Sequence, residues 1–358
     1  MYDDNRLSSL TRRAFVGRAA GAVAATSGLT TLVAACGSDD DEQSSGGGSK
    51  SGKTEEVIFL NIVPLDLSFC CEILAETNGY FKNEGLRVKF QSTRGSAPAL
   101  QSIISGSALM ARAGAIEMIR AVADKGAPLL NVGTQMHAST LTFVSTKEKP
   151  LTKPEDWRGK RMGIPSEGGT SENVLDLVLA AGKVPLDSVE RQVVGLTPGT
   201  FEIVKQGRVA GYVVGTVNSV IFEQKRPEAY LFDTNKYVKD AQVYMVSQNA
   251  SREKRDVIQG YMSAIKRASD EVLSDRDKKF ATTLKTIRGK HEFPELESDE
   301  LAVGVMEKVV GTWVAEGEEN VLKTVPETWK QTYEQLIPVD LVEPGKDPQK
   351  WFTNDFVT

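Results

Sequence analysis

Apolar and polar positions alternate along residues 57–246 with two different periods. Residues 57–63 form a short, nearly all-apolar run closed by Pro64, the pattern of a strand covered on both faces of a parallel sheet. Ser68 stands as a helix cap, and residues 69–81 carry apolar side chains at helical spacing until Gly85 stops them. Residues 87–91 alternate as a second strand, 97–105 read as a second helix, 108–113 as a third strand and 115–124 as a third helix. Strand and helix exchanging at this spacing predict βαβ units with right-handed crossovers.

Residues 129–136 and 141–146 are further strands, the second leading out of a first lobe. A new unit opens at Asp156-Trp157-Arg158-Gly159-Lys160, then a strand at 161–165, the stretch Ser166-Glu167-Gly168-Gly169-Thr170-Ser171 and an amphipathic helix at 172–181. Residues 192–196, 199–206 and 209–214 repeat strand, helix, strand; the chain returns near 242–246 and is mostly helical beyond. The predicted class is α/β with two βαβ lobes joined by two crossing strands, lobe I at 56–146 plus 247–358 and lobe II at 147–246. A chain of 358 residues suits two such cores better than one.

The first fifty residues do not follow this pattern. Arg12-Arg13 precede a mildly apolar run at 19–35 that ends in small residues at Val33-Ala34-Ala35-Cys36. That layout resembles a twin-arginine export signal, residues 1–35, joined to a lipobox whose Cys36 thiol receives a diacylglyceryl anchor. The acidic and Gly/Ser-rich residues 36–55 have nothing to bury and read as a flexible tether. Residues 1–35 hold four Arg and two Asp, so their removal takes the formal charge from −5 to about −7. Such a balance disfavours nucleic acid as a partner. Cys70 and Cys71 are neighbours, a poor geometry for a disulfide, and read as buried thiols on the first helix.

Asn78-Gly79-Tyr80-Phe81, followed by Glu84-Gly85-Leu86 and a strand, resembles the early signature of solute-binding proteins of the nitrate, sulfonate, taurine and thiamine-pyrimidine uptake family. The Ser/Gly loop at 92–96, Gly114 after the third strand, and the Trp157 to Gly163 turn resemble the same family, over about residues 57–244. The resemblance implies a type II periplasmic-binding-protein fold. It also implies a small-molecule ligand, an ABC permease with a separate ATPase as partners, attachment to the membrane through the N-terminal lipid, and a monomer at the outer face of the cytoplasmic membrane. It implies no cofactor. The segment 211–216 departs from relatives that carry an acidic or aromatic residue there, so the particular ligand does not transfer.

In open α/β sheets ligands sit beyond the carboxyl ends of the strands, where helix-opening N–H groups are unsatisfied. The expected ligand-binding residues are therefore Ser68, Phe69, Arg94, Ser96, Arg112 and Gly114 from the first lobe, with Gly169, Thr170, Ser171, Thr216 and Asn218 from the second. Two glycines at Gly168-Gly169 let the backbone approach a ligand, but the stretch lacks the Lys and spacing of a P-loop. Arg112 sits in an apolar strand and must be paired, either by an anionic ligand or by an internal carboxylate such as Glu117 or Glu72. Phe69, Tyr212 and Phe222 are candidates to sandwich a flat ring, core packing being the alternative for each. His137 lies near the hinge and could donate to a ligand.

These features favour capture over catalysis. His137 and His291 are the two histidines, and no Ser-His-Asp order, H-E-x-x-H helix or metal-spaced Cys/His cluster is present. The expected ligand is small and organic, anionic or heteroaromatic: a carboxylate, a sulfonate or a pyrimidine. The alternatives are an enzyme like the pyrimidine-synthesising relatives, which Cys70-Cys71 faintly suggests, and a ligand-sensing partner of a membrane receptor.

Overall fold

A computed structural model describes residues 54–165, 167–195 and 198–357. The export signal, Cys36 and the tether up to residue 53 lie outside these residues, whereas Glu55, drawn as the tether's last residue, is the first of a strand paired with Leu86. Strand β1 (Glu55–Asn61) runs into a turn at Leu67–Phe69, where the Asp66 carboxylate accepts the Ser68 N–H. Asp66 rather than Ser68 is thus the cap. The expected helix at 69–81 is two pieces, α1 (Cys70–Thr77) and α2 (Tyr80–Asn83). Gly79 between them has φ +73°, a left-handed conformation that a β-carbon would strain. There follow β2 (Leu86–Ser92), α3 (Ser96–Ile104), β3 (Met110–Gly114), α4 (Ala115–Lys125) and β4 (Leu129–Met136).

After a first crossing come β5 (Leu141–Thr146), β6 (Arg161–Ile164), α5 (Thr170–Ala181), β7 (Glu190–Val193), α6 (Phe201–Lys205), β8 (Gly211–Gly215), α7 (Thr216–Lys225) and β9 (Ala229–Asp233). The chain then crosses back to β10 (Gln242–Ser247) and closes with α8 (Gln248–Glu253), α9 (Arg255–Ser274), α10 (Ala281–Arg288), α11 (Asp299–Trp313) and α12 (Pro326–Glu334). Strand β9 escapes the sequence reading because its apolar core, Tyr230 to Phe232, is too short to show a period.

Two five-stranded sheets result, ordered β2-β1-β3-β10-β4 and β7-β6-β8-β5-β9. In each, three parallel strands are joined by one antiparallel to them, β10 in the first sheet and β5 in the second. Strands β5 and β10 each belong to the sheet the chain is entering, so the crossings fall at residues 137–140 and 234–241, ahead of the boundaries drawn after 146 and 246.

Lobe I buries one sheet face under α1, α9, α10 and α11, around Phe59, Tyr261, Met306 and Trp313. Lobe II is organised by Trp157, which is fully buried between Phe143 and Phe232 at ring-centroid distances of 4.8 and 4.9 Å. The turn it begins ends at Gly163, where a β-carbon would lie 2.6 Å from Val194 and 2.7 Å from Tyr212. The Trp157 to Gly163 pattern is therefore a packing requirement of lobe II. Among the described residues no helix is long and apolar enough to cross a membrane.

Candidate ligand-binding site

Helices α3 and α4 in lobe I and α5 and α7 in lobe II begin close to the division between the lobes, each directly after a strand or strand-end loop. Five side chains, from α3, α4 and α5, meet across it. The Ser96 hydroxyl accepts the Gly114 N–H at 3.2 Å and lies 3.3 Å from the Thr170 hydroxyl. Thr170 donates to the Glu117 carboxylate at 2.7 Å, and the Asn173 amide donates to its other oxygen at 2.8 Å. Arg120 completes the contact by donating to the Asn173 carbonyl oxygen at 2.7 Å.

Local sequence explains the arrangement. Gly168 has φ +70° and Gly169 accepts the N–H groups of Glu172 and Asn173, so α5 starts with Thr170 and Asn173 three residues apart on one face. Gly114 leaves room opposite, for a β-carbon there would stand 2.3 Å from Glu117 Oε2. Burial pushes the Glu117 carboxyl above its ordinary range, against the lobe II hydrogen bonds that favour its charge. Asp240, buried in the second crossing, is pushed up to about 8 by burial first and by the charge of Glu117 second. It accepts the Ala241 N–H at 2.8 Å.

The seam continues toward the first crossing. Gln242 pairs with Gly114 in the ladder and donates to the Thr140 hydroxyl at 3.3 Å, and the Thr216 hydroxyl donates to the Thr140 carbonyl at 3.3 Å. Thr140 and Thr216 line a cavity of about 390 Å³ that opens between α7 and β9 of lobe II and α11 of lobe I. Ser219, Asp233, Asn235 and Lys308 also face it. Its size is that of an ordinary small-molecule pocket.

The remaining expected residues divide. Gly169, half-buried, caps α5; Ser171 is buried and Asn218 half-buried at the starts of α5 and α7. Ser68 is half-buried, its hydroxyl and N–H both on Asp66. Arg94 is exposed on the Ser/Gly loop. Arg112 is fully buried, paired with Glu72 at 3.2 Å, bonded to the Ser68 carbonyl at 2.7 Å and stacked 3.9 Å over Phe69. The internal-carboxylate alternative for Arg112 is therefore the one observed, and Glu72, not Glu117, is the carboxylate. Phe69, Tyr212 and Phe222 are buried in the cores, the latter two edge to face at 6.2 Å, so they form no ring sandwich at the cleft. His137 is buried at the first crossing, where desolvation lowers its pKa.

Sequence reasoning missed Asn173, Thr140, Gln242, Asp240 and the cavity. Asn173 was findable as the residue one turn beyond Thr170; the others come together through strand pairing, which leaves no local signal. Cys70 and Cys71 are free and buried, and burial pushes the Cys71 thiol up. Among the described residues no group of three or more His, Cys, Asp and Glu side chains is placed to hold a metal ion.

Comparison with known proteins agrees with the fold. Residues 67–278 match the family described as NMT1/THI5 like. The chain is similar to the riboflavin-binding protein RibY of Chloroflexus aurantiacus, 23% identical over 82% of this chain and 83% of that protein. It is also similar to the 4-amino-5-hydroxymethyl-2-methylpyrimidine phosphate synthase THI13 of Saccharomyces cerevisiae, 23% identical over 56% of this chain and 62% of that one. In three dimensions it superposes on the alkanesulfonate-binding protein SsuA from Xanthomonas axonopodis pv. citri, solved bound to MOPS, with a TM-score of 0.61 at 17% identity, covering 82% of this chain and 97% of that one. The fold is that of a periplasmic binding protein, as the sequence resemblance implied.

Proposed function

The chain belongs to the NMT1/THI5-like family, and from that premise we propose that it is the extracytoplasmic solute-binding component of an ABC uptake transporter, closing two lobes around a small organic ligand. The observation that carries this reading is the seam itself: Glu117 of one lobe takes hydrogen bonds from Thr170 and Asn173 of the other. Contacts of this kind form on closure and break on opening, so a solute that bridges the lobes shifts the balance toward the closed form. Export supports the same reading. Arg12-Arg13 and Cys36 would send the protein out of the cytoplasm and tether it by lipid beside its permease.

Charge narrows the ligand classes suggested by sequence. The buried ionisable groups of the seam are the carboxyls Glu117 and Asp240, while the buried guanidinium of Arg112 is already held by Glu72. A carboxylate or sulfonate would meet the Glu117 carboxylate there, and the guanidinium of Arg120 beside it already donates to Asn173. The synthase reading drawn from THI13 would need a reactive centre, and the Cys70-Cys71 thiols that suggested one are sealed in the core of lobe I.

The test is a thermal-shift screen of small solutes with small-angle scattering on every hit. A solute that raises the melting temperature with concentration and reduces the radius of gyration supports capture. A hit that is converted to product during incubation overturns it in favour of an enzyme.

A further inference from the structure

The cavity between α7, β9 and α11 has a chemical bias that the sequence did not show. Three of its hydroxyls have given their protons to backbone carbonyls: Thr216 to Thr140 at 3.3 Å, Ser219 to Thr216 at 2.7 Å and Thr312 to Val309 at 2.6 Å. A hydroxyl so committed offers only lone pairs to a guest. The Asn235 amide is spent as well, donating to the Ser139 carbonyl at 3.2 Å and to Asp233 at 3.3 Å. Lys308 is bound to Glu223 at 2.6 Å, which cancels both charges and leaves Asp233 as the net charge of the lining. Ser139 and Thr140 accept from the Leu141 N–H and the Gln242 amide and so keep a proton to give, and Thr142 has a hydroxyl there too.

The lining includes no aromatic side chain; Leu231 is its one large apolar member. A planar heterocycle would find no ring to stack on, and an anion would meet the Asp233 carboxylate with Lys308 already held by Glu223. The cavity also spans the division between the lobes, with α11 on one side and α7 and β9 on the other, so a guest there would bridge them.

We propose that this cavity is the ligand chamber of the solute-binding reading and that it takes an aliphatic, uncharged or cationic solute rich in O–H and N–H donors, a polyol or an amino alcohol. The inference rests on that reading and specifies its guest. Asp233 and Thr312 are the residues that set the preference, by accepting from the solute.

The experiment is calorimetric titration of the full-length chain with myo-inositol, sorbitol and ethanolamine, against ethanesulfonate, benzoate and cytosine. Binding confined to the first three, weakened tenfold or more by Asp233→Asn and by Thr312→Val, is the expected result. Asp233→Asn changes an exposed residue and keeps an oxygen for the Asn235 N–H, so it remains informative should Thr312→Val fail to fold. Binding of the sulfonate, the benzoate or the cytosine, unaffected by Asp233→Asn, overturns the ligand class and leaves solute capture standing. If none of the six binds, the ligand class falls; native mass spectrometry of protein purified from its host then decides capture, and protein that never carries a solute overturns that too.

Discussion

Glu117 of lobe I and Thr170 of lobe II are joined by a 2.7 Å hydrogen bond, although 53 residues separate them in the chain. A bond from a hydroxyl to a carboxylate contributes roughly 1.5–3 kcal/mol, and the half-buried position of Thr170 puts this one at the lower end. Replacing Thr170 by Val removes the donor and keeps the shape, so the closed form should lose about 1–2 kcal/mol relative to the open one. Small-angle scattering should show an enlarged radius of gyration, with the melting temperature of each lobe little changed. Unaltered compactness would mean that other contacts hold the lobes.

Gly114→Ala attacks the same contact from beneath. The backbone at Gly114 is ordinary, with φ −65°, so alanine adds no backbone strain there. Its methyl would instead arrive 2.3 Å from Glu117 Oε2 and push that carboxylate off Thr170. Opening comparable to that of Thr170→Val is expected, and the double variant should add little to either single one, because both break one bond.

Arg112 and Glu72 make a different prediction. Both are fully buried, and the Tyr244 hydroxyl donates at 2.8 Å to Glu72 Oε1, the oxygen that lies 3.2 Å from the Arg112 guanidinium. Arg112→Met leaves a carboxylate in the core with no countercharge, a loss of about 3–5 kcal/mol in urea unfolding. Arg112→Met with Glu72→Gln removes both charges and should recover most of that loss. The pair is a scaffold for the Ser68–Phe69 turn at the cleft edge, so ligand affinity should follow stability rather than ligand charge.

The contrast between Arg112 and Glu117 shows how far the sequence could be read. An arginine in the strand Met110–Gly114 announces that it needs a partner, yet Glu72 and Glu117 were equally eligible until β1 and β3 paired and carried α1 beside them. The alternation of strands and helices was legible because burial imposes a period on each element separately. The Trp157 to Gly163 turn was legible for the same reason, its glycine being dictated by contacts inside lobe II. The seam and the cavity were not, since Gln242 meets Thr140, and Lys308 meets Glu223, only after both crossings have been made. Aromatic residues misled for a physical reason: Tyr212 lies close to the expected ligand residue Thr216 in sequence, but a strand turns alternate residues away from its neighbours' face, and Phe222 sits on the face of α7 that packs on Phe201.

The N-terminal motif gives a prediction independent of the lobes. Cys36→Ser removes the thiol that would accept the lipid, so the protein should leave the membrane pellet for the soluble extracytoplasmic fraction and lose incorporation of labelled palmitate. Arg12→Lys with Arg13→Lys should instead hold it inside the cell with its leader attached. Membrane association that survives Cys36→Ser would remove the anchor from the proposal.

Asp240 makes the stability of the protein depend on pH in a definite direction. Its carboxyl is raised to about 8 in the folded chain, whereas an exposed aspartate titrates near 3.9. Below about pH 4 the group is protonated in both folded and unfolded states and has no effect. Between about 4 and 8 the unfolded chain releases the proton and the folded chain keeps it, so this group opposes folding by up to ~1.4 kcal/mol more for each pH unit. Above about 8 the penalty stays level. Asp240→Asn keeps an oxygen for the Ala241 N–H and cannot ionise, so it should match the parent at pH 4 and exceed it increasingly toward pH 8, by several degrees in melting temperature. Because Glu117 is the second cause of the shift, Glu117→Gln should shrink the difference between Asp240→Asn and its own parent at pH 8. Parallel melting curves across this range would show that Asp240 meets solvent and that the two carboxyls do not share the seam.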